Sequence, residues 1–162
     1  MASLAPNERI FFAPSFRMTH KELDKNIKLT IVIVDDNPSE HFFIKHALED
    51  FTNILYNDYY NGKDLLSFLE EKSKQPISLQ TLPDIIILDV NMPGLSGFEV
   101  FDLIQEKNLR SGIQFYILTT SITDLGRLAC KKHNLKCYEK PFNIHHFSNL
   151  LEDMIKDSLK KK

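Results

Sequence analysis

From Lys28 onward, strand-like runs and helix-like segments alternate five times. Residues 29–34 (Leu-Thr-Ile-Val-Ile-Val) are short, apolar and β-branched, the pattern of a strand buried on both faces. Asn37 then offers an N-cap side chain and Pro38 a first helical residue whose φ is already set. Ile44, Ala47, Leu48 and Phe51 recur along one face of a helix. Residues 53–60 read as a second strand with weaker alternation. Asn61-Gly62 is a turn, and Leu65, Leu66 and Leu69 mark a second helix ending in the polar 70–74. Residues 75–83, with two prolines, form a loop. Residues 84–89 (Asp-Ile-Ile-Ile-Leu-Asp) are the clearest strand, followed by a Pro- and Gly-broken loop and a third helix over 98–107 carrying Val100, Phe101 and Ile104. Residues 112–118 are a fourth strand and 122–133 a fourth helix, with Asn134 suited to a left-handed cap. A short fifth strand over 135–139 and a helix over 144–160 complete the series.

Short connections between alternating strands and helices imply a parallel sheet with helices on both faces. The expectation is an α/β, doubly wound, five-stranded parallel sheet. Residues 28–162 form the domain, and 1–27 are an N-terminal extension punctuated by Pro6 and Pro14. The charge balance, 20 Lys+Arg against 22 Asp+Glu, argues against a nucleic-acid footprint. No apolar run approaches a membrane span, and Pro6, Asn7, Glu8, Arg9 and Pro14 interrupt any secretory h-region. The chain therefore reads as cytoplasmic, with no membrane or nucleic-acid partner. Cys130 and Cys137 fit that compartment and are read as buried thiols rather than a disulfide; their spacing matches no zinc pattern.

In open parallel sheets, ligands bind outside the carboxyl ends of the strands. The first strand ends in Asp35-Asp36, the third in Asp89, the fourth in Thr119-Thr120 and the fifth in Lys140. Three carboxylates, two hydroxyls and an ammonium thus converge on one edge. Like charges at 4 Å repel by about 1 kcal/mol in water and about 4 kcal/mol at an effective dielectric near 20. Lys140 can offset one charge, and Mg²⁺, which takes oxygen ligands and keeps several waters, suits the remainder. Such a set fits phosphoryl chemistry. Neither Gly-rich phosphate motif, G-x-x-x-x-G-K-[ST] or G-x-G-x-x-G, is present. A carboxylate nucleophile receiving a phosphoryl group as an acyl phosphate satisfies both observations.

These residues resemble the receiver domain of two-component response regulators. Ile31-Val-Ile-Val-Asp-Asp-Asn-Pro38 is similar to the first strand and acidic pair of that family. Ile85-Ile-Ile-Leu-Asp-Val-Asn-Met-Pro-Gly-Leu-Ser-Gly97 is similar to its phospho-acceptor segment, Leu118-Thr-Thr120 to its switch hydroxyl, and Glu139-Lys-Pro-Phe142 to the end of its fifth strand. The resemblance implies a flavodoxin-like (βα)5 receiver fold. It implies that Asp89 accepts the phosphoryl group, with Asp36, Asp89 and the backbone carbonyl of Asn91 binding Mg²⁺ directly and Asp35 acting through a bound water. Thr119 and Lys140 would contact phosphoryl oxygens. The implied donor is a phosphohistidine on a sensor histidine kinase or phosphotransfer domain. The receiver would catalyse only its own phosphorylation and dephosphorylation, and so is not an enzyme in the ordinary sense.

No output domain follows the last helix, so the expected protein is a single-domain regulator. It would signal to an unknown downstream protein by direct contact, with a candidate dimer face on the fourth helix, fifth strand and fifth helix. Three departures stand out: Asp36 to Asp89 spans 53 positions, more than compact members of the family need, with the surplus fitting the 71–83 loop, and two residues differ. Asn134 takes a place the family usually gives to Gly, and Cys137 takes that of an aromatic switch, with Tyr138 sent to the opposite face by strand alternation. Two other readings compete. A haloacid-dehalogenase-type phosphatase needs a second Asp two residues after its nucleophile, where this chain has Asn91 or Asn37; a degenerate receiver used only for binding needs a lost acidic residue or Lys.

Overall fold

Runs of β-branched residues with no polar face bury nearly every side chain of the inner strands, and the sheet they build is the centre of the molecule. A computed structural model of the chain describes residues 28–160 except 50, 52, 77–81 and 110–111. The order is β1 Leu29–Val34, α1 Pro38–Leu48, β2 Ile54–Tyr59, α2 Gly62–Ser73, β3 Ile85–Leu88, α3 Gly97–Glu106, β4 Gln114–Thr119, α4 Asp124–His133, β5 Lys136–Glu139 and α5 Ile144–Leu159. All strand pairs are parallel, in the order β2-β1-β3-β4-β5. The extension over 1–27 and part of the 75–83 loop lie outside the described residues.

Period-two alternation sorts the sheet residues into two cores. Val32, Val34, Ile86, Leu88, Phe115 and Ile117 pack with Leu65 and Leu69 of α2 and Val100, Phe101 and Ile104 of α3. Leu29, Ile31, Ile33, Ile85, Ile87, Tyr116 and Leu118 pack on the other face, with α1 and α5. Cys137 joins the first core and Tyr138 the second, as the alternation of β5 requires.

Local chemistry sets the element ends. Asn37 caps α1 by accepting from the Ser39 amide at 3.0 Å, and Pro38 follows in the first turn. α1 stops at Leu48; Phe51 lies beyond it and packs against the same core. β4 starts at Gln114 rather than at Gly112, which turns the chain with φ of 74°. α4 starts at Asp124 rather than Ile122 because Thr123 takes the cap, its Oγ1 accepting from the Gly126 amide at 3.1 Å. Asn134 caps the other end in the left-handed conformation, φ 53°.

That cap overturns one sequence expectation. Cys130 and Cys137 are not separate thiols but a disulfide, with Cα atoms 6.3 Å apart. Asn134 reverses the chain at the end of α4, and the Leu135 amide donates to the Cys130 carbonyl at 2.8 Å. The reversal folds β5 back along the helix and brings the sulfurs together. The reach lies within the ordinary range for a disulfide.

Gly62 opens α2 where a side chain would collide with α3: a Cβ would lie 2.1 Å from Val100 Cγ2. Gly62→Ala should therefore destabilise the fold by about 1–3 kcal/mol, the usual cost of overpacking. Urea melts of Gly62→Ala, Val100→Ala and the double variant check this. Val100→Ala removes the collision, so the double variant should be less destabilised than the two single effects added together.

Candidate functional site

Sheet register assembles the site. Val34 of β1 pairs with Leu88 of β3, so Asp35 and Asp89 follow side by side just past their strands. The main chain continues the pairing, with the Asp89 amide donating to the Val34 carbonyl at 2.9 Å and the Asp35 amide to the Tyr59 carbonyl at 3.1 Å. Thr119 ends β4 opposite Glu139 of β5, and the Lys140 amide donates to the Thr119 carbonyl at 2.8 Å. Gly97 packs against the loop after β3: a Cβ there would lie 2.2 Å from the Asp89 carbonyl oxygen, so only Gly lets α3 approach so closely.

Lys140 joins the two carboxylates. Its Nζ lies 2.6 Å from Asp35 Oδ2 and 3.0 Å from Asp89 Oδ1, all three side chains at most 8% exposed. The second oxygen of each carboxylate meets a backbone N–H: Asp35 Oδ1 accepts from the Asn37 amide at 2.9 Å and Asp89 Oδ2 from the Asn91 amide at 2.8 Å. Asp36 is exposed beside them, and one oxygen from each of Asp35, Asp36 and Asp89 lies within 4.8 Å of the others. The three form an acidic cluster of hard oxygen donors suited to a small divalent cation. Thr119 is buried, and its Oγ1 accepts from Asn91 Nδ2 at 3.3 Å. The sequence-predicted residues Asp35, Asp36, Asp89, Asn91, Thr119 and Lys140 are thus one constellation. All but Thr119 line an open cleft, whose wall at the end of β4 is Thr120.

Burial and charge act against each other here. Burial pushes the Asp89 carboxyl above the usual carboxylate value and Asp35 adds to the push, while Lys140 and the Asn91 amide pull it back only in part. Burial works against the Lys140 charge, yet its bonds to Asp35 and Asp89 outweigh it and hold the ammonium above the usual lysine value. Lys140 therefore contacts both carboxylates but, as a single positive charge, offsets only one of their two negative charges, as expected from sequence.

Two further residues serve the cleft. Glu40 of α1 lines it, and burial raises its carboxyl; Lys140 opposes this, while Asp35 and Asp89 add to it. The buried His41 donates from Nε2 to the Asp35 carbonyl at 2.7 Å, and its Nδ1 lies 3.1 Å from Asp58 Oδ1, a carboxylate also paired with Lys45. His41 thereby fixes the backbone of the acidic pair. Its signal in the sequence was a polar residue one turn before Ile44 on the apolar stripe of α1.

A family match decides the identity. The family described as "Response regulator receiver domain" matches residues 31–152. The chain belongs to this family. Receivers are modules of two-component signalling that are phosphorylated and work with histidine kinases; they are not conventional enzymes. The chain is 30% identical over 136 residues, 83% of its length, to "Histidine kinase P4" of Formosa agariphila, and spans 9% of that protein. It is 34% identical over 99 residues to a nitrate/nitrite response regulator homolog of Haemophilus influenzae, covering 60% of this chain and 41% of that one. Among solved structures it resembles the phosphorylated cyanobacterial phytochrome response regulator RcpA, with a TM-score of 0.70 and 22% identity, covering 84% of this receiver and 97% of that chain. No helix among the described residues is long and apolar enough to cross a membrane.

The raised Asp89 carboxyl has a pH consequence. A group raised on folding holds its proton more tightly in the folded state, so its contribution is full below the unfolded value and is lost as pH rises through the folded one. The stability of the parent relative to Asp89→Asn should therefore fall as pH climbs from the ordinary value of 3.8 through the raised one. Urea melts of both proteins between about pH 3 and pH 6 read this difference directly. A difference that grows with pH would contradict the assignment.

Proposed function

We propose that this receiver accepts a phosphoryl group on Asp89 from a phosphohistidine of a sensor histidine kinase or phosphotransfer domain. The observation that carries the reading is the Lys140 ammonium bridging Asp35 and Asp89 in an open cleft. A carboxylate oxygen of Asp89 attacks phosphorus in line; the O–P bond forms as the N–P bond breaks, and the leaving imidazole nitrogen takes the electron pair and a proton. Lys140 then pairs with a phosphoryl oxygen as well as with Asp35. The Thr119 hydroxyl, whose oxygen now accepts from Asn91, turns its proton toward another phosphoryl oxygen. Later attack by water breaks the O–P bond, frees phosphate and restores the Asp89 carboxylate. Asn91 stands where a dehalogenase-type phosphatase carries its general acid, and an amide has no proton to give in that role.

Asp35, Asp36, Asp89 and the Asn91 backbone carbonyl suit Mg²⁺, with Asp35 acting through a bound water. When bound, the ion neutralises charge on the phosphoryl oxygens. The reading places the protein in the cytoplasm, where it signals by protein contact. The α4–β5–α5 face, on which Leu125 and Leu128 of α4 are exposed, is the candidate surface for self-association or a downstream protein.

Two experiments test this. Acetyl phosphate with Mg²⁺ should add one phosphoryl mass to the parent and none to Asp89→Asn; equal labelling of both would sink the acceptor assignment. Mg²⁺ binding only the folded form should stabilise the parent by about 2.7 kcal/mol at a hundredfold excess over Kd. Asp36→Asn should lose that gain, and a parent melting temperature blind to Mg²⁺ would refute the metal site.

A further inference from the structure

α4 is the least anchored helix of the fold. Its single buried residue is Cys130, while Leu125 and Leu128 are 79% and 63% exposed. The other helices each bury at least four residues. What ties the middle of α4 to the sheet is therefore the bond from Cys130 to Cys137 of β5. Beside that bond is a cavity of about 130 Å³ whose lining includes Asn91, Phe98, Thr119, Ile122, Cys130 and Cys137. The disulfide thus walls a space that reaches the hydroxyl of Thr119, which is itself bonded to Asn91 of the acceptor loop.

We propose that Cys130 and Cys137 are a redox-reversible pair that pins α4 to β5 when oxidised and releases it when reduced. In the compartment implied by the proposed function, disulfides are transient and redox-sensing rather than structural. Cys137 is half-buried and Cys130 is 7% exposed, so Cys137 is the sulfur that an outside reagent meets. Oxidation by a low-molecular-weight disulfide balances in two exchanges. The Cys137 thiolate attacks one sulfur of the reagent and expels a thiolate; the Cys130 thiolate then attacks Cys137 and expels the second. Two electrons pass to the reagent, which leaves as two thiols carrying the two cysteine protons. A dithiol reverses both steps. Released α4 has the cavity behind it as room to move, so reduction lets the candidate contact surface, already exposed in the oxidised form, shift its position. That signalling consequence rests on the reading of Asp89 given above, and the redox step rests only on the compartment of that reading; the release of α4 on reduction rests on neither.

The test uses the full chain, equilibrated with oxidised glutathione or with dithiothreitol. Intact mass after alkylation should show no modified cysteine in the first case and both in the second. Amide hydrogen exchange in α4 should quicken on reduction by roughly tenfold or more, as for a segment released to local opening, with α1 and α5 unchanged. Cys130→Ser and Cys137→Ser should each show fast α4 exchange whatever the reagent. Asp89→Asn should keep the redox response of the parent, which separates a failure here from a failure of the acceptor assignment. Alkylation of both cysteines after glutathione treatment, or equal α4 exchange in the two redox states, would overturn the proposal.

Discussion

The Lys140 ammonium between Asp35 and Asp89 is the contact on which the rest of the molecule's chemistry depends. Two carboxylates on adjacent strands, each only a few per cent exposed, would repel strongly without a cation between them. Strand order creates both the difficulty and its solution. Because β1 and β3 are neighbours, Asp35 and Asp89 emerge side by side. Lys140 comes from β5, beyond β4, and only a long side chain reaches past the end of β4 to both. A shorter cation at that position could not touch both members of the pair.

Much of this was legible in the sequence, for reasons that differ by element. β1, β3 and β4 are covered on both faces, so they read as largely apolar runs without alternation. β2 and β5 are edge strands with exposed positions, and their patterns are correspondingly weak. The site residues were legible because each lies at or just past a strand end, and a parallel sheet gathers those ends. Relations across space were harder to read. The double pairing of Lys140 depends on how far a side chain reaches, and the hold of His41 on the Asp35 carbonyl depends on one helix turn facing a loop. The cysteine pair matches no spacing motif; it exists because Asn134 adopts a left-handed cap and turns β5 back along α4.

Burial is distributed unevenly, and the unevenness follows function. α1 and α5 share one core face and bury Ile44, Ala47 and Leu48 against Phe147, Leu151, Met154 and Ile155. Tyr116 adds a polar tie beneath α5, its hydroxyl 2.7 Å from Asp157 Oδ2 and 3.2 Å from the Met154 carbonyl. The acidic pair is held by this rigid side, through the His41 contact and the Asn37 cap. α4 has no comparable stripe. A segment with few buried apolar contacts opens at lower free energy than the core it rests on.

The two regimes meet at Thr119. Its backbone belongs to an inner strand, and its hydroxyl accepts from Asn91 of the loop after β3 beside the cavity under α4. The β1 side of the site is backed by the α1–α5 core, and the β4 side by the cavity under α4. On that face β5 carries Cys137 and its sulfur bridge to α4 rather than an aromatic ring, while His133 at the end of α4 packs on Phe101 of α3.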